Sequence, residues 1–491
     1  MAGSWVSDEL QGVDLRDKRL EKRMVSLLET LSRSSTASIP AGCDDRAEMV
    51  AAYRFFDNPK VEFGNVLAPH IEASYRRVAA QPVALLVQDT TELDLTRPGQ
   101  QMDGAGPLHN GDRCGALLHL LHAFTPDGIP LGTVSAQAWT RETPPVPRGQ
   151  RTAGDKRVAC ARKPIEQKES FRWLETARHC QEIQEHLPAT QLILLADRES
   201  DISEVLAECS RQQTFDWIIR GGSDRVLKKE SIDEASVRVK ERLAQQTEQY
   251  RLTLRIRARR SFGSQTIKQR PGKADRDARE VTVSVHCGQV TLNDPRPRHE
   301  DGITVNAVLV HEPEPPEQEQ PIEWLLLTSL PIETREHVAA VVAHYEQRWT
   351  IELLFKVLKS GCRIESRRFE HIDRFLPALG LYLIIAWRSF YICRISRTHA
   401  EQSCETVYTR AEWQSVWMVV TKKKPPKRPP ELLEMTKLMA QLGGYVNRKN
   451  TGPPGPQSVW LGLQRMHDLA TAWLTFGPDA NTPGTRHIHN Q

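Results

Sequence analysis

The 491-residue sequence predicts an α/β protein that is helical at both ends, and three patterns carry that prediction. Ala84-Leu85-Leu86-Val87-Gln88-Asp89 and Leu192-Ile193-Leu194-Leu195-Ala196-Asp197 are short apolar runs closed by an aspartate, the look of buried strands whose last residue emerges at a sheet edge. Gln249 to Ala258, Glu280 to His286 and Thr304 to Val310 alternate or run β-branched between Gly, Pro and Asp clusters, which favours further strands. At about 100° per residue, Tyr345, Arg348, Glu352, Lys356 and Lys359 share an arc of roughly 80°. Ile351, Leu354, Phe355 and Leu358 fill the adjacent arc, so one amphipathic helix is expected there.

In chain order, Asp14 to about Glu62 reads as helical, with Arg16, Lys18, Arg19, Lys22 and Arg23 crowding the first helix. Asp14, Asp17 and Glu21 interleave with these cations, so a plain solvated face fits the pattern as well as a contact surface does. From Ala79 to Pro130 the pattern is strand, loop and a second apolar run, Cys114 to Phe124, closed by the turn Thr125-Pro126-Asp127-Gly128. Thr140 to Pro164 is rich in proline, arginine and lysine and is expected to be a mobile loop. Pro164 to Leu187 returns to helical periodicity and leads into the Asp197 strand.

Asp197 and Glu352 are 352 − 197 = 155 positions apart, and the strands predicted in that interval read as an insertion. Arg251, Arg255, Arg257, Arg259, Arg260, Lys268, Arg270 and Lys273 make it basic, the right sign for DNA, although a solvated hairpin carries such charge too. After Arg368 the chain reads as helical, broken at Lys422-Lys423-Lys424-Pro425-Pro426-Lys427-Arg428-Pro429-Pro430, an extended charged loop. Residues 477–491 are expected to be disordered, and no internal repeat is present.

Hydrophobic residues make up 39% of the chain and charged ones 26%, which permits a sizeable core and argues against global disorder. The net charge of +4 is too small to decide whether nucleic acid is a partner. Nine scattered cysteines without a C-x-x-C pair indicate neither a disulfide framework nor a zinc ribbon. No apolar signal segment is recognised, and the most apolar stretch, Leu376 to Trp387, contains Pro377 and Gly380 and is read as too short to span a bilayer. A reducing, cytoplasmic setting without a membrane is the resulting expectation.

Two strand-end aspartates and a helical glutamate offer hard oxygen ligands, and Mg²⁺ favours a few carboxylates, retained water and phosphate oxygens. Two such ions about 4 Å apart suit in-line phosphoryl transfer. The Glu352 helix alone does not decide this, because Arg, Lys and Glu at such steps are common on solvated helices.

At these residues the chain resembles the bacterial cut-and-paste DDE transposases of the insertion-sequence-four type. Asp89-Thr90-Thr91, then Lys168-Glu169-Ser170 with Trp173, then Asp197-Arg198-Glu199-Ser200-Asp201 follow one another in the family's order. Trp324-Leu325-Leu326-Leu327-Thr328 precedes the Tyr345–Arg348–Glu352–Lys359 spacing, Leu442-Gly443-Gly444-Tyr445 lies near the carboxyl end, and Leu15-Arg16-Asp17-Lys18-Arg19 with Ala51-Ala52-Tyr53-Arg54-Phe55 look like the amino-terminal DNA-binding segment. The likeness runs from about Trp5 to about Leu463. Asp-Thr-Thr and Trp-Leu-Leu-Leu-Thr are weak signals alone; the ordered pair of Asp-Arg-Glu-x-Asp and Tyr–Arg–Glu–Lys is a strong one.

The resemblance implies an α/β fold with a ribonuclease-H-like catalytic core carrying an inserted β subdomain. Residues 1–70 would form a helical DNA-binding domain for the transposon end, 71–368 the catalytic domain with the insertion at about 206–320, and 369–476 a helical dimerisation domain. Asp89, Asp197 and Glu352 would be the catalytic carboxylates holding two Mg²⁺ ions, with Mn²⁺ as a substitute. Arg220, Tyr345, Arg348, Lys356 and Lys359 would hold phosphates, Trp324 would stack a base flipped out of the transposon end, and Arg19, Lys22, Arg23 and Arg54 would contact the duplex. The implied partners are double-stranded DNA, as end repeats and as target, and a second copy of the chain, on the bacterial nucleoid. The implied activity is cleavage through a hairpin followed by strand transfer; a silent DNA-binding relative and a nuclease that does not join ends are the competing readings.

Overall fold

The computed structural model describes residues 5–97, 99–109, 113–142, 163–229, 231, 235–256, 277–294, 302–317, 319, 321–448 and 451–478. The chain divides into two compact units, Met1–Ala153 with Trp349–Gln491, and Gly154–Arg348. Most of the expected loop at 140–164, the tail at 479–491, and the cations Arg257, Arg259, Arg260, Lys268, Arg270 and Lys273 lie outside the described residues.

The first unit begins with five helices: α1 (Trp5–Glu9), α2 (Lys18–Arg33), α3 (Ile39–Gly42), α4 (Arg46–Phe56) and α5 (Phe63–Ala79). Two of their starts are written in the sequence. Asp17 caps α2 by accepting the Arg19 N–H at 2.9 Å, and Asp45 caps α4 by accepting the Glu48 N–H at 2.7 Å, each satisfying a donor that a helix terminus leaves open. Met24, Leu27, Leu28 and Leu31 bury one stripe of α2.

Three antiparallel strands follow, β1 (Val83–Asp94), β2 (Cys114–Phe124) and β3 (Pro130–Trp139), with β2 in the middle. The turn between β2 and β3 closes through the Gly128 N–H to the Thr125 carbonyl at 2.8 Å, and Gly128 takes the left-handed φ of +82° that the turn needs. Here the structure departs from the sequence reading. β1 does not stop at Asp89 but runs on to Asp94, with Asp89 opposite Leu120 of β2. What ends at Asp89 is the continuous buried run: Ala84 to Gln88 are buried, Asp89 to Glu92 are half-exposed, and of the last two residues only Leu93 is buried.

The same unit resumes with α10 (Thr350–Lys356), which packs on β1, and continues into α11 (Ile372–Thr398), α12 (Arg410–Thr421), α13 (Leu432–Leu442) and α14 (Pro456–Phe476). Tyr408, Trp413, Leu432, Met435, Met439, Val459 and Met466 form the centre of this helical group. The Lys-Pro segment at 422–430 separates α12 from α13 without helix of its own. The apolar stretch Leu376 to Trp387, too short by itself to span a bilayer, belongs to the 27-residue α11, which is long and apolar enough by length and composition to cross a membrane. With 83% of its most apolar window buried inside the protein, it is a core helix. Pro377 and Gly380 do not shorten it, because Pro377 sits in its first turns and Gly380 packs on Val66 of α5.

The second unit contains α6 (Phe171–His186), β4 (Gln191–Ala196), α7 (Ser203–Gln212), β5 (Asp216–Arg220), α8 (Val239–Ala244), β6 (Tyr250–Ile256), β7 (Arg279–Leu292), β8 (Ile303–His311), β9 (Glu323–Thr328) and α9 (Arg335–Glu346). β4 and β5 are parallel, β9 is antiparallel to β5, and β8, β7 and β6 continue outward in antiparallel order. The inserted strands therefore extend the β4–β5 sheet through β9 rather than forming a sheet of their own.

Candidate active site

β4 ends at Ala196, and Asp197 is the next residue, half-exposed, where it caps a 3₁₀ turn by accepting the Glu199 N–H at 2.8 Å. Asp201, last residue of the same motif, is buried against Arg225 and accepts the Gly222 N–H at 2.7 Å and the Ser223 N–H at 3.2 Å. It thereby fixes the loop that follows Arg220.

Arg220 ends β5 opposite Leu326 and donates to the Glu323 carbonyl at 3.2 Å. Trp324, half-exposed at the start of β9, meets the ring of Tyr345 edge to face with centroids 6.0 Å apart. Tyr345 is 1% exposed and Arg348 5%. Burial pushes the Tyr345 phenol up from its ordinary value; Arg348 and Arg220 pull it down and Asp197 pushes it further up. Asp197, Arg220, Trp324, Tyr345 and Arg348 thus form one neighbourhood inside the second unit.

The expected single helix from Tyr345 to Lys359 is broken. α9 ends at Glu346, a 3₁₀ turn covers Gln347–Trp349, α10 covers Thr350–Lys356, and a π-type turn covers Val357–Gly361. Ile351, Leu354, Phe355 and Leu358 are buried, as their arc requires. The polar arc is split: Tyr345 and Arg348 are buried in the second unit, while Glu352 and Lys356 are exposed and Lys359 is half-buried in the first. Asp89 and Glu352 belong to that first unit, on β1 and on the helix packed against it, and Asp89 accepts the Thr90 N–H at 2.7 Å.

Carboxylate oxygens on a half-exposed strand, at a strand end and on an exposed helix face fit a hard divalent cation by the chemistry of the donors. Among the described residues, no three His, Cys, Asp or Glu side chains are grouped closely enough to hold an ion.

Around β1 the structure adds residues that sequence patterns did not single out. His119 of β2 is 2% exposed, with Nδ1 2.8 Å from the Thr90 hydroxyl, next to Asp89. Glu92 accepts from the His109 N–H at 2.7 Å and from Arg113 at 2.9 Å. Lys359 donates to the Glu92 carbonyl and lies 3.5 Å from Glu365. Only the β1–β2 register could have signalled His119; nothing local links residue 92 to 365. Of the amino-terminal cations, Arg19, Lys22 and Arg54 are exposed and Arg23 is half-buried.

Family models match three parts of the chain: Transposase DNA-binding at residues 2–61, Transposase DDE domain at residues 169–387, and Transposase Tn5 dimerisation domain at residues 384–472. The DDE span includes Asp197 and Glu352, and Asp89 lies before it. Among solved structures, a cryo-EM synaptic complex of piggyBac transposase with hairpin DNA is 10% identical, with 78% of this chain and 67% of that chain covered, at a TM-score of 0.34.

Proposed function

The chain belongs to the DDE transposases, with a ribonuclease-H-like α/β core, a DNA-binding domain and a Tn5-type dimerisation domain, and from that premise we propose that it is a cut-and-paste transposase acting on its own terminal repeats. Membership makes it a metal-dependent DNA-cleaving enzyme that binds DNA and forms a homodimer. The finer reading is that Asp89, Asp197 and Glu352 hold two Mg²⁺ ions, replaceable by Mn²⁺. Bound there, the metal supplies Lewis acidity at the phosphate and an activated attacking oxygen.

In the proposed sequence water cleaves one strand, the freed 3′-hydroxyl attacks the opposite strand to give a hairpin, a second water opens it, and the hydroxyl then joins target DNA. The observation that carries the hairpin is the neighbourhood of Trp324. A half-exposed indole braced by Tyr345, beside Arg220 and near Asp197, offers a stacking platform next to a ligand carboxylate. Stacking there offsets part of an unstacking cost of a few kcal/mol. Arg220 holds a phosphate beside the extruded base, with Tyr345 and the fixed charge of Arg348 behind it. Lys356 and the exposed Arg19, Lys22 and Arg54, with Arg23, are assigned to backbone phosphates, which set register without reading sequence.

Residues 1–70, 71–368 and 369–476 are assigned to end binding, catalysis and dimerisation. Cys43, Cys114, Cys180, Cys209, Cys287, Cys362, Cys393 and Cys404 are free thiols, in keeping with a reducing bacterial cytoplasm and action on the nucleoid.

Incubating the protein with its flanking end sequences, Mg²⁺ and a plasmid target tests the reading. Cleavage with insertion is expected; binding alone would identify a silent relative, and cutting without joining a nuclease. Asp89→Asn should keep end binding and lose nicking by at least about a hundredfold, in line with loss of a metal ligand or its support. Normal nicking by that variant would sink the site assignment.

A further inference from the structure

We propose that Glu365 and Lys359 are a positioning pair that fixes the Glu352 helix on the strand carrying Asp89. The proposal rests on the reading of Asp89 and Glu352 as metal ligands.

Three links run from β1 and the residues just after it to the segment that follows the Glu352 helix. The Lys359 ammonium donates to the Glu92 carbonyl, three residues beyond Asp89. Glu365 Oε1 accepts the Asp94 N–H at 3.0 Å and lies 3.5 Å from Lys359 Nζ. The Arg97 guanidinium donates to the Glu365 carbonyl at 2.5 Å and to the Arg367 carbonyl at 3.2 Å. Lys359 and Glu365 are 27% and 30% exposed at their side chains, partly shielded from water, where such a bridge is screened less than at the open surface. Arg363 takes the left-handed φ of +50° that turns the chain back toward β1, and Ile364 beside it is fully buried.

Lys359 lies two helical turns beyond Glu352. The family resemblance aims its ammonium at a phosphate, and the same ammonium also has intrachain acceptors on two sides. It works as a strut: sliding α10 along β1 would break the Glu92, Asp94 and Glu365 contacts together. Because ligands supported by such outer contacts lose affinity when the support goes, Glu365 sets how well two of the three carboxylates are presented.

The test is Mn²⁺ binding to the full-length protein without DNA, followed by electron paramagnetic resonance, alongside end-DNA binding in metal-free buffer. Glu365→Ala is expected to weaken Mn²⁺ binding by about tenfold while end-DNA affinity stays within a factor of two. Glu365→Gln keeps an acceptor for the Asp94 N–H and should recover part of that loss; it also serves if the alanine variant misfolds. Unchanged Mn²⁺ affinity in Glu365→Gln and Glu365→Ala would overturn the proposal. So would tighter DNA binding with unchanged metal binding, since that would make Glu365 a competitor for phosphate at Lys359. Asp89→Asn in the same assay separates the two levels: if it binds Mn²⁺ like the wild type, the ligand assignment has failed, and if only it loses Mn²⁺, the positioning role has failed.

Discussion

Trp324 and Tyr345 show how neighbouring aromatics take different tasks according to burial. Tyr345, 1% exposed, is pushed up by burial against the pull of Arg348 and Arg220, so its phenol stays neutral near pH 7 and contributes shape rather than charge. Trp324 is half-exposed, in keeping with the stacking role proposed for it. Trp324→Ala should therefore leave first-strand nicking near the wild-type rate and reduce hairpin formation by roughly 5- to 150-fold, the equivalent of about 1–3 kcal/mol of base stacking. Gel analysis of end-labelled DNA reports both products; equal hairpin yields would reduce Trp324 to a packing residue. In the sequence Trp324 opens an apolar strand and takes its base-stacking role from the family resemblance alone, while Tyr345 falls on the polar arc of its helix.

At the scale of elements, the segment from Tyr345 to Gly361 was legible in its apolar half and not in its polar half. The apolar stripe obeys helical periodicity because it must face one core. Breaks at Gln347–Trp349 and Val357–Gly361 interrupt the helix, and periodicity assumes the constant 100° step that those turns abandon; the polar residues differ in burial, which periodicity does not predict. Gly361 marks the second break, since a Cβ there would lie 2.9 Å from the Trp460 ring of α14. Gly361→Ala should cost about 1–3 kcal/mol through overpacking, measured by urea unfolding, with a shift in indole fluorescence; unchanged stability would show that the ring yields freely. The Gly443-Gly444 pair has a similar basis. A Cβ on Gly443 would meet the Ser458 carbonyl at 2.1 Å, and Gly444 has φ of +87°, so close helix packing explains the first glycine of this family-like motif and a left-handed backbone the second. Asp89 teaches the converse lesson, because the end of an apolar run marks the end of unbroken burial, whereas hydrogen bonding carries β1 five residues further.

At the scale of the whole molecule, the first unit is assembled from both ends of the chain, and one of its ties is buried and ionic. Glu9 of α1 accepts from Arg77 at 2.9 and 3.0 Å and from His70 Nδ1 at 2.5 Å, while the Thr133 N–H donates to His70 Nε2 at 3.1 Å. With Nε2 accepting, the imidazole is neutral. Its full burial pushes its pKa down more than Glu9 pulls it up. For Glu9, burial alone would raise the pKa, but His70 and Arg77 prevail and lower it to about 2. Both shifts have the same sign for stability. Protonating His70 below its ordinary 6.5 favours the unfolded chain, and the contribution of Glu9, complete above 4.5, is lost as pH falls toward about 2. Glu9 should account for about 3 kcal/mol of that acid loss. Urea midpoints from pH 7 to pH 3 should fall for the wild type and fall less steeply below pH 4.5 for Glu9→Gln; parallel curves would place the acid sensitivity elsewhere.

By itself the sequence determined the two apolar strands before Asp89 and Asp197, the run of strands after Gln249, and a motif order specific enough to indicate the family. Those signals are local, written by residues a few positions apart that share one face or one turn. Only the tertiary structure decided that Tyr345 and Arg348 are buried, that the inserted strands extend the β4–β5 sheet, and that Lys359 is held by Glu92 and Glu365. It alone brought Glu9 to His70 and Arg77. Each of these is a contact between positions distant in the chain, where periodicity carries no information and packing selects the partner.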